Sequence, residues 1–368
     1  MANPVKDPFQ RLNELIAARF PNGTPEIRYE LHIGNPKGPT NTKVRDFLIG
    51  HLDLDKYHPL QTLPELKDAV MAYNSSVHGV KLSREQVTAV QGTKSALAWI
   101  PSVFLSRKGD ERAIGLPDLS YSVYYTAAER EDAYLAFYKA DEPIVTEIKW
   151  PISYLIKNSP HNPLGRVSKR DELANLARQA QKKNFVVISD ECYIDIYPGE
   201  KPTSLLEVDT TGEFRNLLVL NSLSKSANVP GLRSGFLAGD SKLVKKFADV
   251  YATTGNTLSK AHQQASAMAW TDLDLISSNR ARYQEALRAF SAQTGLPVPE
   301  GAFYFFAKTP IDGEEFVVNM IRDHGIKLMP GKYLDYKQSG RWNNYVRIPV
   351  AERLPNEVVG ALKDALGS

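Results

Sequence analysis

Between Val87 and Gly239 the chain alternates short, β-branched apolar runs with longer stretches whose apolar residues recur at helical spacing. VTAV, ERAIGL, ISYLIKN, FVVISD, NLLVLN and GFLAGD read as strands. Runs so short and so continuously apolar suit strands covered on both faces, which predicts an α/β arrangement with a mainly parallel sheet. Ser168 to Lys183 reads as a helix, with Ser168 as N-cap, acidic residues in the first turn, and Leu173, Leu176 and Ala177 along one face. Its place between two strands predicts a right-handed crossover, and functional groups in such sheets gather beyond the carboxyl ends of the strands. After Asp272 the pattern changes to a long helical segment, Leu275 to Ala292, followed by GAFYFFAK, GIKLMPG and YVRIPVA as strands of a smaller α+β region. The expected division is a large α/β domain over residues 41–272 and a small α+β domain from residues 273–368, joined by an N-terminal arm, 1–40. Without a long linker the two should share a site where they meet.

Composition narrows the class. Apolar residues make up 42% of the 368 positions and charged ones 24%, which excludes a disordered or fibrous chain. A formal charge of +3 with no basic, aromatic-studded tract gives no reason to expect nucleic acid. No apolar run approaches the roughly 18 residues that span a bilayer, and MANPVKDPFQRLNEL lacks the layout of a secretory signal, so a cytoplasmic protein off the membrane is expected. The lone Cys192 cannot close an internal disulfide, and with no Cys/His cluster around it no metal site is expected.

Four segments at the ends of expected strands could carry chemistry. Asn221-Ser222-Leu223-Ser224-Lys225 follows a strand; taken alone its lysine reads as a solvated loop residue, with a Ser-x-x-Lys pair as the alternative. Asp190 abruptly ends the run NFVVISD. It is either a turn aspartate or a buried carboxylate that needs a cationic partner, for which a protonated pyridine nitrogen would serve. In Ser159-Pro160-His161-Asn162-Pro163-Leu164-Gly165 two prolines and a glycine stiffen a turn that leaves the Asn162 amide aimed off a strand end. Gln91-Gly92-Thr93-Lys94 stands between a strand and a helix, where free backbone N–H groups at a positive helix end suit a phosphate. Pro101 is expected to kink that helix, and no G-x-G-x-x-G pattern supports a nicotinamide dehydrogenase.

In this order and spacing the four segments resemble the class I/II aminotransferases: a Gly-rich turn, Asn-Pro-x-Gly, a strand-end Asp with Tyr three residues later, and Ser-x-Ser-Lys with Arg eight residues on. The resemblance implies the pyridoxal-phosphate-dependent fold type I, a mainly parallel seven-stranded sheet flanked by helices plus a smaller domain. It implies that Lys225 holds pyridoxal 5'-phosphate as a Schiff base and shuttles a proton, and that Asp190 pairs with the pyridine nitrogen. Asn162 and Tyr193 would bond the phenolic oxygen, and Tyr121 would stack on the ring. Gly92, Thr93 and Lys94, with Ser222, Ser224 and Arg233, would hold the phosphate. Tyr57, in YHPLQTLPEL, matches a tyrosine that reaches the phosphate of a neighbouring subunit, which implies a homodimer. Arg347, in YVRIPVA, would clamp the substrate α-carboxylate, with Asn162 beside it, and Gly34, in LHIGNP, would close over the substrate.

The implied reaction is ping-pong transfer of an amino group from an amino acid, such as glutamate, to a 2-oxo acid or related carbonyl. PFQRLNEL, IGNPKGP, SDECYIDIY, NSLSKSANVPGLRSGFLAGD, GAFYFF and LMPGKYL are most similar to the N-succinyldiaminopimelate aminotransferase branch, whose acceptor is N-succinyl-2-amino-6-oxopimelate. Leu164, Thr62 and Leu119 depart from the family pattern, and the stretch Tyr134 to Pro151 is short. These departures leave another substrate open, or a cyclase, lyase or oxidase with the same cofactor residues. Lys260 and His262 are candidate anion contacts for the distal end of the substrate.

Overall fold

The computed structural model describes residues 6–39, 41–51, 57–106, 112–144, 147–149 and 151–367. Helix α1 (Pro8–Arg19) and the short strand β1 (Tyr29–Glu30) precede α2 (Thr42–His51) and α3 (Pro64–His78). Then come β2 (Val87–Val90), α4 (Gly92–Phe104), β3 (Ala113–Pro117), α5 (Val123–Arg130), β4 (Tyr134–Tyr138), β5 (Tyr154–Asn158), α6 (Arg170–Lys183) and β6 (Val186–Asp190). Strand β7 (Leu217–Ser222) runs into the single turn α7 (Leu223–Ser226), followed by β8 (Gly235–Gly239), α8 (Ser241–Thr253) and α9 (Lys260–Thr271). The chain ends with α10 (Leu273–Thr294), β9 (Tyr304–Lys308), α11 (Gly313–His324), β10 (Ile326–Lys327), β11 (Met329–Pro330), β12 (Tyr345–Pro349) and α12 (Asn356–Leu366).

Seven strands form one sheet in the order β2-β8-β7-β6-β5-β3-β4. Only β8 runs antiparallel to its neighbours, so the sheet is mainly parallel as expected. Apolar residues of α3, α6 and α9 pack on one face, among them Leu66, Leu173, Leu176 and Trp270. Leu97, Tyr124, Val244 and Phe247, from α4, α5 and α8, cover the other. This double cover explains why β5, β7 and β8 are buried at every position and why their sequences carry no polar alternation. Strand β4 was not among the expected runs. Its sequence YLAFY lies at the sheet edge and is only half covered, so it lacks the continuous apolar signature of its neighbours.

The remaining elements build a second core. Leu12 and Ile16 of α1 join Leu287 and Phe290 of α10, Val317 and Ile321 of α11, and Val358 and Leu362 of α12. An antiparallel sheet β11-β12-β9 lies within it, and β1 pairs in parallel with β10, tying the N-terminal segment to the C-terminal part of the chain.

One local expectation needs correction. Ser168 is not the N-cap of α6: the cap position is Lys169, in extended geometry and with no side-chain cap bond. The Ser168 N–H is instead drawn to the Ser159 hydroxyl at 3.0 Å, which ties it into the preceding turn and delays the helix. In α4, Pro101 sits inside the helix, which ends at Phe104.

Glu172 of α6 fastens the turn after β5. It is 2% exposed, accepts Lys157 Nζ at 2.6 Å on one oxygen and Arg166 Nη2 at 2.6 Å on the other, and takes the Ile144 N–H at 3.1 Å. Removing it leaves a buried ammonium without its counter-ion. Glu172→Ala is expected to destabilise the fold by about 3–5 kcal/mol in urea unfolding; a loss below about 1 kcal/mol would contradict this reading of the cluster.

Candidate active site

Register brings the site together. Asn158 is opposite Asp190 across β5 and β6, and Asp190 is opposite Leu220 of β7, two residues before Ser222. Three parallel strands therefore deliver polar groups to the same carboxyl edge. There a cavity of about 380 Å³ opens, lined also by Gly34 from the N-terminal segment and by Tyr304 and Arg347 from the C-terminal core.

Lys225 enters this cavity from α7, a turn whose N-cap is Ser222: the Ser222 hydroxyl accepts the Ser224 N–H at 3.1 Å. The Lys225 ammonium donates to the Gly34 carbonyl at 2.6 Å and stands 5.6 Å from the Phe303 ring centre and 6.0 Å from that of Tyr193. Burial lowers its pKa from 10.5 to about 8, and the guanidinium groups of Arg347 and Arg233 push the same way.

Asp190 is 2% exposed at the end of β6. Its Oδ2 accepts the Tyr124 hydroxyl at 2.7 Å and its Oδ1 the Cys192 N–H at 3.3 Å. Burial pushes its carboxyl above the ordinary range, against the pull of those bonds. No cation pairs with it among the described residues.

A group of anion-seeking atoms lines the same cavity as Asp190. The Ser222 and Ser224 hydroxyls are 2.8 Å apart, and Thr93 and Lys94 line the cavity from the positive end of α4. Arg233 is exposed, holding only the Pro230 carbonyl at 3.0 Å. Gly92 has φ +73, and a Cβ there would collide with the Arg233 guanidinium, so glycine is required both for the turn and for the approach of Arg233.

Arg347 projects into the cavity from the middle of β12. Its Nη1 donates to Asn162 Oδ1 at 3.1 Å and its Nη2 to the His32 carbonyl at 2.7 Å, while Nε is buried without a partner. The guanidinium carbon lies 4.8 Å from the centre of the Tyr304 ring, whose hydroxyl is 2.8 Å from that of Tyr193. A Cβ on Gly34 would collide with the Tyr304 hydroxyl, which explains the glycine at this crossing.

Of the residues singled out from sequence, Gly34, Thr93, Lys94, Tyr121, Asn162, Asp190, Tyr193, Ser222, Ser224, Lys225, Arg233 and Arg347 line this one cavity. Gly92 stands just behind it, against Arg233. Tyr57 does not line it and is fully exposed, next to residues 52–56, which lie outside the described set. Lys260 and His262 do not line it either: they open α9, where Ser259 caps the helix and bonds His262 Nδ1 at 2.7 Å. Sequence reading missed Tyr124, Asn158 and Tyr304. Asn158 carried the same signal as Asp190, a polar residue ending an apolar strand; the two tyrosines had none, being aromatic in apolar surroundings.

The model of the family "Aminotransferase class I and II" matches residues 30–361, and the chain belongs to that family. The 4-dedimethylamino-4-oxo-anhydrotetracycline transaminase OxyQ of Streptomyces rimosus is 30% identical over 340 residues, 90% of each chain. The crystal structure of aminotransferase AspB from Helicobacter pylori is 29% identical and superposes with a TM-score of 0.88 over 98% of both chains. A probable N-succinyldiaminopimelate aminotransferase from Thermus thermophilus shares the fold at a TM-score of 0.80, covering 98% of both chains at 21% identity. The protein is an aminotransferase of fold type I, and pyridoxal 5'-phosphate is its cofactor.

The residues present fit that group. A buried carboxylate without a cation, a glycine turn held open beneath an arginine, and a buried arginine Nε without a partner are what a pyridinium, a phosphate and a substrate carboxylate would complete.

Since the neutral amine is the form that attacks a carbonyl, and Lys225 is lowered to about 8, apoprotein should take up pyridoxal 5'-phosphate faster as pH rises through 7 and level off above about 8.5. A stopped-flow pH series checks this; a rate still climbing tenfold per unit beyond pH 9 would indicate a solvated lysine.

Proposed function

We propose that the chain transfers an amino group from an amino acid, with glutamate as donor, to a carbonyl acceptor, and that Lys225 is the residue that carries the cofactor. The observation that supports this most is the pairing, in one cavity, of a largely buried lysine of lowered pKa with a buried carboxylate that has no cation.

When bound, pyridoxal 5'-phosphate supplies an electron sink for the charge left on the substrate Cα as its proton departs. Asp190 keeps the ring nitrogen protonated. Thr93, Ser222, Ser224 and Arg233 would hold the phosphate and Tyr121 would cover the ring face; the Lys94 ammonium stands 5.8 Å from the centre of the Tyr121 ring. Asn162 and Tyr193 bond the phenolic oxygen. Lys225, whose lowered pKa brings the neutral amine within reach near neutrality, would hold the cofactor through its Nζ and, when free, would take up and return the proton at the substrate Cα. Arg347 clamps the substrate carboxylate, its orientation set by Asn162 and the His32 carbonyl. The segment bearing Gly34 covers Lys225 and excludes water from the reacting atoms.

The acceptor favoured by the local strings is N-succinyl-2-amino-6-oxopimelate, in keeping with the fold shared with the Thermus thermophilus protein. A cyclic ketone of the kind named for the Streptomyces rimosus relative is the second reading, supported by 30% identity over nearly the whole chain.

A homodimer is part of the proposal. Tyr57, Leu60 and Ile49 are large, exposed and lie on or near the α2–α3 connection, where Tyr57 is free to reach a second copy. The division into residues 41–272 and 1–40 with 273–368 accords with the second core, which joins α1 to α10 through α12. No helix among the described residues is long and apolar enough to cross a membrane, and a cytoplasmic location is proposed.

Three measurements test the reading. Purified protein should be yellow, and Lys225→Ala should lose the borohydride-sensitive chromophore; a chromophore retained in that variant would sink the assignment. In the wild type, glutamate should release one equivalent of 2-oxoglutarate without added acceptor. Arg347→Met should raise the donor KM about 100-fold, the loss of a bidentate charged contact, with cofactor content unchanged.

A further inference from the structure

Asp190 is the buried anion on which the proposed chemistry turns, and its two carboxylate oxygens are held unequally. The nearby Asn158 amide does not help, since it donates to the Asp190 main-chain carbonyl at 2.9 Å. The Cys192 N–H reaches Oδ1 only at 3.3 Å, whereas the Tyr124 hydroxyl reaches Oδ2 at 2.7 Å.

We propose that Tyr124 is a positioning residue for the reaction: its hydroxyl holds Asp190 ionised and oriented so that the carboxylate can keep the cofactor ring nitrogen protonated. The inference rests on the pyridoxal-phosphate reading of the cavity.

Three features carry it. First, Tyr124 is 1% exposed and belongs to the buried cluster that holds Leu116, Ile156 and Leu220, so its hydroxyl is largely withdrawn from bulk solvent. A buried tyrosine hydroxyl left unpaired is costly, and here the partner is a carboxylate, which makes the bond charge-assisted. Secondly, the ring is rigidly placed. Its N–H bonds the Tyr121 carbonyl at 3.1 Å, and the two rings meet edge to face at 6.0 Å and 84°. One turn at the start of α5 thus sets both the ring that lies against the cofactor and the donor that holds its counter-ion. Thirdly, burial pushes the Tyr124 hydroxyl well above its ordinary value, so it stays protonated and can only donate to an ionised partner. Burial raises Asp190 as well, and the Tyr124 bond is the largest influence opposing that rise.

Phenylalanine keeps the ring and its apolar contacts, so Tyr124→Phe removes the donor and little else. A protonated ring nitrogen disfavours a second positive charge on the Lys225 linkage; weakening Asp190 should therefore raise the midpoint at which that linkage titrates. The experiment compares wild-type holoenzyme with Tyr124→Phe, Asp190→Asn and the double variant, reading the visible-absorbance pH titration, cofactor retention on gel filtration, and single-turnover rate with glutamate. In Tyr124→Phe the midpoint should rise by about half a unit or more and the single-turnover rate fall about tenfold, with glutamate affinity within about twofold. In the Asp190→Asn background the same change should alter neither by more than about twofold, because the group it acts through is gone. Tyr124→His, which retains a donor, should fall between the wild type and phenylalanine.

An unchanged midpoint in a cofactor-loaded Tyr124→Phe enzyme overturns the proposal. So does an equal loss in the Asp190→Asn background, which would mean that the ring only supports the fold. A histidine variant displaced as far as phenylalanine counts against it in the same way. Wild-type protein that takes up no cofactor would overturn the reading of the site, and this inference with it.

Discussion

A carboxylate at the closed end of a buried strand is an expensive group, and the cavity is organised around the one at Asp190. Parallel pairing of β5, β6 and β7 removes it from water, and the cover on both faces of the sheet prevents solvent from reaching it. Two hydrogen bonds lower the cost without cancelling it, which leaves a site that is completed by a cation from outside the chain. That demand suits the cofactor of the family, whose ring nitrogen holds its proton more firmly where an anion is held against it.

The same burial acts with opposite sign on Lys225. A desolvated ammonium gives up its proton more readily, and the arginines on either side add to this, so one low-dielectric pocket yields both a held anion and an amine of lowered pKa. The two groups do not neutralise each other by direct contact. Lys225 is turned toward the Gly34 carbonyl and Asp190 toward Tyr124, and both line one cavity. The anion-seeking atoms of Ser222, Ser224 and Arg233 line that cavity together with Arg347. A phosphate and a carboxylate can therefore be held at once without competing for the same donors.

Closing the cavity needs residues far apart in the chain. The His32 carbonyl accepts from Arg347 and the Gly34 carbonyl from Lys225, so the N-terminal segment touches both the buried arginine and the lysine of the cavity. That segment is anchored beyond the site by β1 pairing with β10 and by α1 packing into the C-terminal core. Tyr304 meets Gly34, Tyr193 and Arg347 together, which makes it the residue where the two cores and the N-terminal segment converge.

The sequence by itself determined the sheet-forming runs and the residues at their ends, because continuous apolar stretches and an abrupt Asp or Lys after them are local signals. It determined the family too, through motifs in which each residue type matches one chemical need. It did not show β4, whose half-covered edge position weakens the apolar pattern, nor the displaced start of α6, where a tertiary bond to Ser159 overrides a cap signal. Tyr124 and Tyr304 stayed hidden for a related reason: an aromatic residue in an apolar run looks like core, and only three-dimensional packing reveals where its hydroxyl ends. The lowered pKa of Lys225 and the buried state of Asp190 were likewise decided by the tertiary structure, since desolvation depends on what packs around a group and not on its neighbours in the chain.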